Sequence, residues 1–354
     1  MLAACSPKAA SPTEAKTLNL YIWNDFLAPD TLANFEKETG IKVFETNFAS
    51  DEEAEAKIAA GSSGYDIVVP SGSFYGRQIR AGFYRKLDKK KLPNLTNMDP
   101  EMLKRMTMDD PDNEHAVLHI WGTLGLGYNV DKVAALAPDA PLDSWALLFD
   151  PAVAAKLEKC GIGVVSSASD MFSMALSYLG KDSQSQDVAD NEAAAAAMMK
   201  IRPFVRYIAT ERTISDLANG EICLTAGSNG DIQMAHARAE EDRTGQRIAY
   251  ASPREGSSIW FESYLIPKDA PHPENAHTFI NYMLRPEVIG AVTNAIHYSN
   301  ANVQAARFVD KEVLADQATY PPPAVMKKLV PDLGDGPEIT RLKTRLWTKF
   351  VTGR

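Results

Sequence analysis

A two-domain α/β chain is the fold class this sequence predicts, and three observations predict it. Strand-like and helix-like patterns alternate from Leu18 onward in the order strand, helix, strand, helix, strand, which is doubly wound organisation. The third of those strands is a continuous apolar run, of the kind buried on both faces of a parallel sheet. The 354 residues, 45% of them hydrophobic, exceed what one small core organises and suggest domains of roughly 150 to 180 residues each.

Leu18–Trp23 is rich in β-formers and opens the series as a strand. Asn24–Ala28 follows as a loop. A helix is predicted from Pro29-Asp30, because proline is tolerated at a first helical position and Leu32, Ala33 and Phe35 supply an apolar face. Gly40 ends that helix, and Ile41–Phe48 alternates like a second strand. A charged helix over Asp51–Ala60 stops at Gly61, and Tyr65–Pro70 is the third strand. Ligands of such sheets bind beyond the carboxyl ends of the strands, here Trp23–Phe26 and Ser71–Phe74. Ile120–Val130, with Gly122, Gly125 and Gly127, reads as a strand-like crossing between two lobes. Its GxxGxG order is not a nucleotide fingerprint, and no phosphate-cradling helix start follows it. A further α/β stretch runs from about Pro141 to Pro253, with an Ala-rich helix through Ala193–Ala197 and an apolar strand Ile222–Ala226. Ser258–Pro267 then reads as a strand, and Pro273 opens a helix through Leu284.

Acidic residues number 46 against 37 basic ones, a formal charge of −9, scattered rather than in runs. That balance argues against nucleic acid, whose phosphates demand a positive face. No run of about 18 apolar residues occurs, so no membrane-spanning helix is expected. Nucleophile elbow, HExxH, P-loop and paired-histidine motifs are lacking, and the six histidines are dispersed. No catalytic residue, metal or cofactor is expected. The three cysteines form no C-x-x-C pair. Leu2-Ala3-Ala4-Cys5 reads as a lipobox, with Cys5 the lipidated residue, and a chance match is the alternative. The basic start and apolar run of a full export signal are missing upstream, so Met1 reads as the start of a truncated signal. Ser6–Thr17 has the composition of a flexible tether, giving 1–17 as lipobox and tether. Cys160 and Cys223 are then left as an even pair, in a compartment where a disulfide can persist.

What stands out chemically is a set of aromatics and carboxylates at strand ends and loops: Trp23-Asn24-Asp25-Phe26, Ser71 to Phe74, Ser228 to Asp231, Trp260-Phe261-Glu262 and His297 to Asn300. Each has an ordinary reading, since Trp and Phe usually pack and a loop Asp usually caps or turns. Together they suit an alkylammonium ligand, because aromatic faces attract ammonium groups and carboxylates accept their hydrogen bonds.

Longer stretches carry a resemblance: Ala28-Pro29-Asp30-Thr31, Phe35 to Val43, Tyr65 to Ser71, Gly125 to Val133, Asp143-Ser144-Trp145, Asp216 to Gly220 and Tyr298 to Asn302. In these the sequence resembles the periplasmic putrescine/spermidine-binding proteins of bacterial polyamine ABC importers, from about Leu18 to Gly353. The resemblance implies a two-lobed class II periplasmic-binding-protein fold, each lobe a mainly parallel sheet flanked by helices, closing over its ligand about a hinge. The implied lobes are 18–122 with 250–304, and 123–249 with 305–354. It also implies a periplasmic monomer that captures a polyamine and delivers it to an inner-membrane ABC permease, with attachment through a lipid anchor at Cys5.

Carried over by position, the resemblance gives Trp23, Asp25 and Ser71 to the first lobe's half of the pocket, with Trp23 and Tyr298 as aromatic walls and Asp25 on a terminal ammonium. Asp170 and Asp231 are acidic positions of the second lobe, and Trp260 and Glu262 match a central aromatic and carboxylate. Phe26 stands where the family commonly has Tyr, Asn24 where it has Ser or Thr, and Ser228 where it has Trp or Tyr. Asp170 and Glu262 each differ by one methylene from common family choices. The family also carries cysteines at both matching positions, which implies a Cys160–Cys223 disulfide. Trp260 matches spermidine-preferring members and Ser228 opens space, so spermidine is expected over putrescine. Two other functions are carried alongside: a binding protein that reports polyamine to a membrane-bound sensor, and an enzyme with Cys160 as nucleophile, which a disulfide would eliminate.

Overall fold

A computed structural model describes residues 14–48 and 50–354. Cys5 and the tether up to residue 13 lie outside the described residues. The strands are β1 (Thr17–Trp23), β2 (Lys42–Phe48), β3 (Ile67–Val68), β4 (Ala116–Asn129), β5 (Ile162–Val164), β6 (Val205–Ile208), β7 (Leu224–Ser228), β8 (Ile248–Ala251), β9 (Ser257–Leu265) and β10 (Leu329–Pro331). They join in one sheet, ordered β2-β1-β3-β9-β4-β7-β5-β6, with β10 on β9 and β8 on β4. The β1–β2 and β1–β3 pairs are parallel, as are β5 with β6 and with β7. The late strand β9 inserts antiparallel between β3 and β4.

β4 is the spine of the molecule. All 14 of its residues are buried. Its first half, Ala116–Thr123, pairs with β9, and its second half, from Leu124, pairs with β7 and β8. One chain segment thus belongs to two sheet halves, as the glycine-containing crossing predicts. Two main cores form on either side of that change of partner. The first gathers Leu18, Ile22, Phe35, Tyr75, Phe261 and Phe279, and the second gathers Trp145, Phe149, Phe172, Leu224 and Phe350. Each such side chain, taken fully out of water, contributes about 1.5–3 kcal/mol. Ala305 and Leu329 pack in the first core, although they lie after the stretch expected to form that lobe.

Several boundaries differ from the sequence reading for local reasons. The first helix is Thr31–Thr39, not one opening at Pro29. A turn occupies Pro29-Asp30, closed by Thr31 N–H donating to Ala28 O at 3.0 Å, and Asp30 becomes the N-cap. Gly40 does end it, in the left-handed region at φ 69°. β3 keeps ladder pairing only over Ile67–Val68, because Pro70 lacks an N–H. Ile222 and Cys223 precede β7 rather than opening it: Ile222 N–H is spent on Asp216 O, and Cys223 N–H on Gly161 O. Among the described residues no helix is long and apolar enough to cross a membrane.

Candidate functional site

The carboxyl end of β1 starts the site. The Trp23 ring packs on Phe48 (centroids 4.6 Å apart), and its Nε1–H donates to Glu262 Oε2 at 3.0 Å. Glu262 is buried on β9, and its backbone bridges to that of Ser71. Ser71 is the N-cap of the helix Gly72–Arg80; its N–H donates to Asp51 Oδ1 at 3.0 Å and its hydroxyl to Asp51 Oδ2. Asp51 is therefore a buried neighbour that the sequence reading missed, having taken it as the start of a charged helix.

The following loop is held from beneath by His119. Burial lowers its imidazole to about 4, so the ring is neutral. Phe26 O can only accept, at 2.9 Å, which puts the proton on Nε2 and leaves Nδ1 to accept from Tyr264 O–H at 2.8 Å. Phe26 then stands 5.8 Å from Tyr298 and 6.2 Å from Trp23, ring centre to ring centre, and Tyr298 meets Trp260 edge-on at 4.9 Å. Trp23, Phe26, Tyr298 and Trp260 form one continuous aromatic wall. Two glycines make room for it: a Cβ on Gly122 would stand 2.3 Å from the Trp260 ring, and one on Gly230 2.5 Å from the Tyr298 ring.

Tyr298 O–H donates to Asp231 Oδ1 at 2.8 Å, joining the wall to the first turn of the helix Asn229–Glu241. Ser228, the last residue of β7, is that helix's N-cap. Asp170 lies in the first turn of the helix Ala168–Tyr178, capped by Ser167. Asn24 and Asp25 are exposed: Asn24 Nδ2 donates to Asp25 in a turn where Asp25 has φ 59°. Among the described residues no hydrogen bond joins that pair to the other predicted site residues.

Desolvation dominates the electrostatics. Burial, then the charge of Asp51, pushes the Glu262 carboxyl well above its ordinary range, against the Trp23 hydrogen bond that lowers it. Burial raises Asp51 to about 7, opposed by its Ser71 hydrogen bonds. Asp170 also rises to about 7, through burial and then through Asp332, a second acidic neighbour the sequence reading missed. Asp231 is raised by burial and held back by Tyr298. Carboxylates crowded in a poorly hydrated space repel one another, and a ligand cation relieves both the repulsion and the lost hydration.

Cys160 and Cys223 are joined as a disulfide, with Cα atoms 5.4 Å apart. This corrects the enzymatic alternative: the nucleophilic thiol it needs is consumed.

Comparison with known proteins agrees over almost the whole chain. The putrescine-binding periplasmic protein PotF of Escherichia coli is 44% identical over 343 residues, 96% of this chain and 93% of that protein. The spermidine/putrescine-binding periplasmic protein of Salmonella typhimurium is 33% identical over 326 residues, 92% of this chain and 89% of that one. Among solved structures, the spermidine/putrescine ABC transporter substrate-binding protein PotD of Streptococcus pneumoniae superposes with a TM-score of 0.81 at 26% identity, covering 96% of this chain and 99% of its own. The family pattern described as bacterial extracellular solute-binding protein matches residues 30–321. The chain belongs to that family of transport proteins, which bind solutes rather than transform them, and it has their two-lobed fold.

Proposed function

We propose that this chain captures a polyamine in the cleft between its lobes and delivers it to an inner-membrane ABC permease. The observation that carries this reading is the continuous wall Trp23–Phe26–Tyr298–Trp260, hydrogen-bonded through Trp23 to the buried carboxylate of Glu262 and through Tyr298 to the half-buried carboxylate of Asp231. A methylene stem lies against the rings, and each ammonium meets an acid. Glu262, Asp231 and Asp170 are the ammonium acceptors in this reading, with Asp51 and Asp332 reinforcing the negative field. Asn24 and Asp25 join when the lobes shut, and Ser71 and Ser228 line the ends. The lobes are 18–122 with 250–304, and 123–249 with 305–354, with Ala305 and Leu329 packing back into the first core, and the mature protein is a monomer lipidated at Cys5.

Within the polyamines, a spermidine-type triamine is favoured over putrescine. Ser228 removes an aromatic wall and leaves length to fill, and Asp332 adds an acid beside Asp170. Putrescine is the second reading, because PotF and a 43%-identical Pseudomonas aeruginosa relative carry it in their names. Titration calorimetry with putrescine, cadaverine, agmatine, spermidine and spermine tests both levels. Binding of none of them ends the polyamine reading, and putrescine tighter than spermidine ends the triamine preference alone.

A further inference from the structure

We propose that an enclosed cluster of oxygens in the first core, between the helix Gly72–Arg80 and β9, binds one monovalent cation of potassium size.

Gly72 marks the place. A Cβ there would stand 3.1 Å from Asp109 Oδ2 and 3.8 Å from both Phe261 O and Tyr75 Oη, so a carboxylate, a carbonyl and a phenol surround one point. One helical turn on, a Cβ on Gly76 would stand 2.7 Å from Asp109 Oδ1. Residues four apart share a helix face, and these two glycines leave a notch along it that the Asp109 carboxylate fills. Tyr75 and Ser263 are wholly buried, and Asp109 is 4% exposed. Yet Asp109 Oδ2, Tyr75 Oη and Ser263 Oγ each lack a hydrogen-bond partner among the described residues. Burial, then the charge of Asp109, pushes the Tyr75 phenol well above its ordinary range, and Ser263 acts the other way, so the three groups bear on one space. Buried polar atoms are almost always satisfied by protein, water or an ion, and three orphans in one place call for a shared occupant.

The donor set selects that occupant. Carboxylate, carbonyl and hydroxyl oxygens are hard donors, suited to hard cations rather than to transition metals. A single carboxylate balances a single positive charge. Among the described residues no three His, Cys, Asp or Glu side chains converge as a divalent site would require. The oxygens also stand back from the central point, a wide cage unlike the tight shell of about 2.0–2.1 Å that magnesium demands. Water would satisfy the two hydroxyls but leave the charge of Asp109 unbalanced. Burial and then Asp332 raise that carboxyl to about 7; Arg80 opposes the rise and Asp110 adds to it. A cation in the cage holds Asp109 ionised amid these acids. Its position is behind the cleft and not in it. Ser71 and Glu262 bridge backbone to backbone, and their chain neighbours Gly72 and Phe261 contribute to the cage. The ion therefore ties the start of the helix to β9 directly beneath two residues of the pocket. One acid among neutral oxygens has no spacing motif, so the sequence alone does not display it.

Rubidium, a potassium surrogate that scatters anomalously, is the probe. Crystals of the full chain soaked in rubidium chloride should show an anomalous peak at its absorption edge, bounded by Asp109 Oδ2, Phe261 O and Tyr75 Oη. Density there without anomalous signal, a water only, overturns the proposal, as does no density at all. Equilibrium dialysis against rubidium chloride gives the count in solution. Asp109→Asn should bind one rubidium ion fewer per chain than the parent, and Tyr75→Phe should bind it more weakly. The exposed Asp112→Asn removes the same formal charge away from the cage and should match the parent, which separates the site from general attraction of cations to an acidic protein. Thermal unfolding establishes that each variant is folded. Equal rubidium uptake by the parent and a folded Asp109→Asn variant overturns the assignment, as does an equal loss in Asp112→Asn.

Discussion

Glu262 is 5% exposed, and its neighbours are an indole N–H and another carboxylate, Asp51. Such a group is costly to charge until a cation arrives, so the ligand's ammonium gains most of its attraction here. Glu262→Gln and Asp231→Asn should each weaken polyamine binding by about 2–5 kcal/mol, read by calorimetry, because a buried ammonium loses its partner. Parent-like affinity in both would show that the pocket lies elsewhere. The same crowding predicts a pH effect. Asp51 and Asp170, ordinarily near 3.8, titrate at about 7 in the folded protein. Between those values the folded state holds protons that the unfolded chain has released, so ligand-free stability falls as pH rises through that window. Polyamine binding needs the charged form and expels those protons, so affinity rises over the same range. Calorimetry in two buffers of unequal ionisation heat measures the release; zero protons near pH 6 would contradict it. The aromatic and acidic members of the wall were legible because their side-chain chemistry is distinctive. Asp51 and Asp332 were not, since one looks like a helix start and the other like part of a Pro-Asp-Leu-Gly turn until the chain folds over them.

At the scale of elements, β4 explains why its glycines are glycines. Gly122→Ala would drive a methyl into the Trp260 ring. Overpacking of this kind costs about 1–3 kcal/mol, and the displaced indole should weaken ligand binding as well. Thermal melts and intrinsic tryptophan fluorescence check the two parts, and an unperturbed emission spectrum with full affinity would refute the packing argument. Cys160 and Cys223, 63 residues apart, clamp the approach to β5 against the approach to β7. Loop-closure entropy gives about 4 kcal/mol as the upper stabilisation, lost in a Cys160→Ser/Cys223→Ser double variant. Thiol labelling of the folded, unreduced protein should find neither cysteine; labelling at both would remove the bridge. Element positions were readable from apolar runs and from Gly40, which caps its helix as predicted. Starts were harder to place, because Pro29-Asp30 suits a tight turn as well as a helix's first residues.

For the whole molecule, a ligand bound between two cores stabilises both. Polyamine at 100 times its dissociation constant should add ~2.7 kcal/mol and raise the melting temperature, while sodium chloride of equal ionic strength should not. No shift at saturation would mean that binding is not coupled to the folded clamp. The parallel β1–β2–β3 unit follows from local pattern, but the place of β9 does not, because it depends on partners far away along the chain. That place shapes folding order. β9 separates β3 from β4 in the sheet yet follows them in sequence, past the whole of β5 to β8. A nascent chain that has emerged only to residue 251 holds every strand of the second half while the first still lacks its middle. Pairings this distant form slowly, and they leave unpaired strand edges exposed meanwhile. The sheet of the half that begins the chain is therefore the one completed last, and a holdase chaperone that recognises its open edges has the longest interval in which to act.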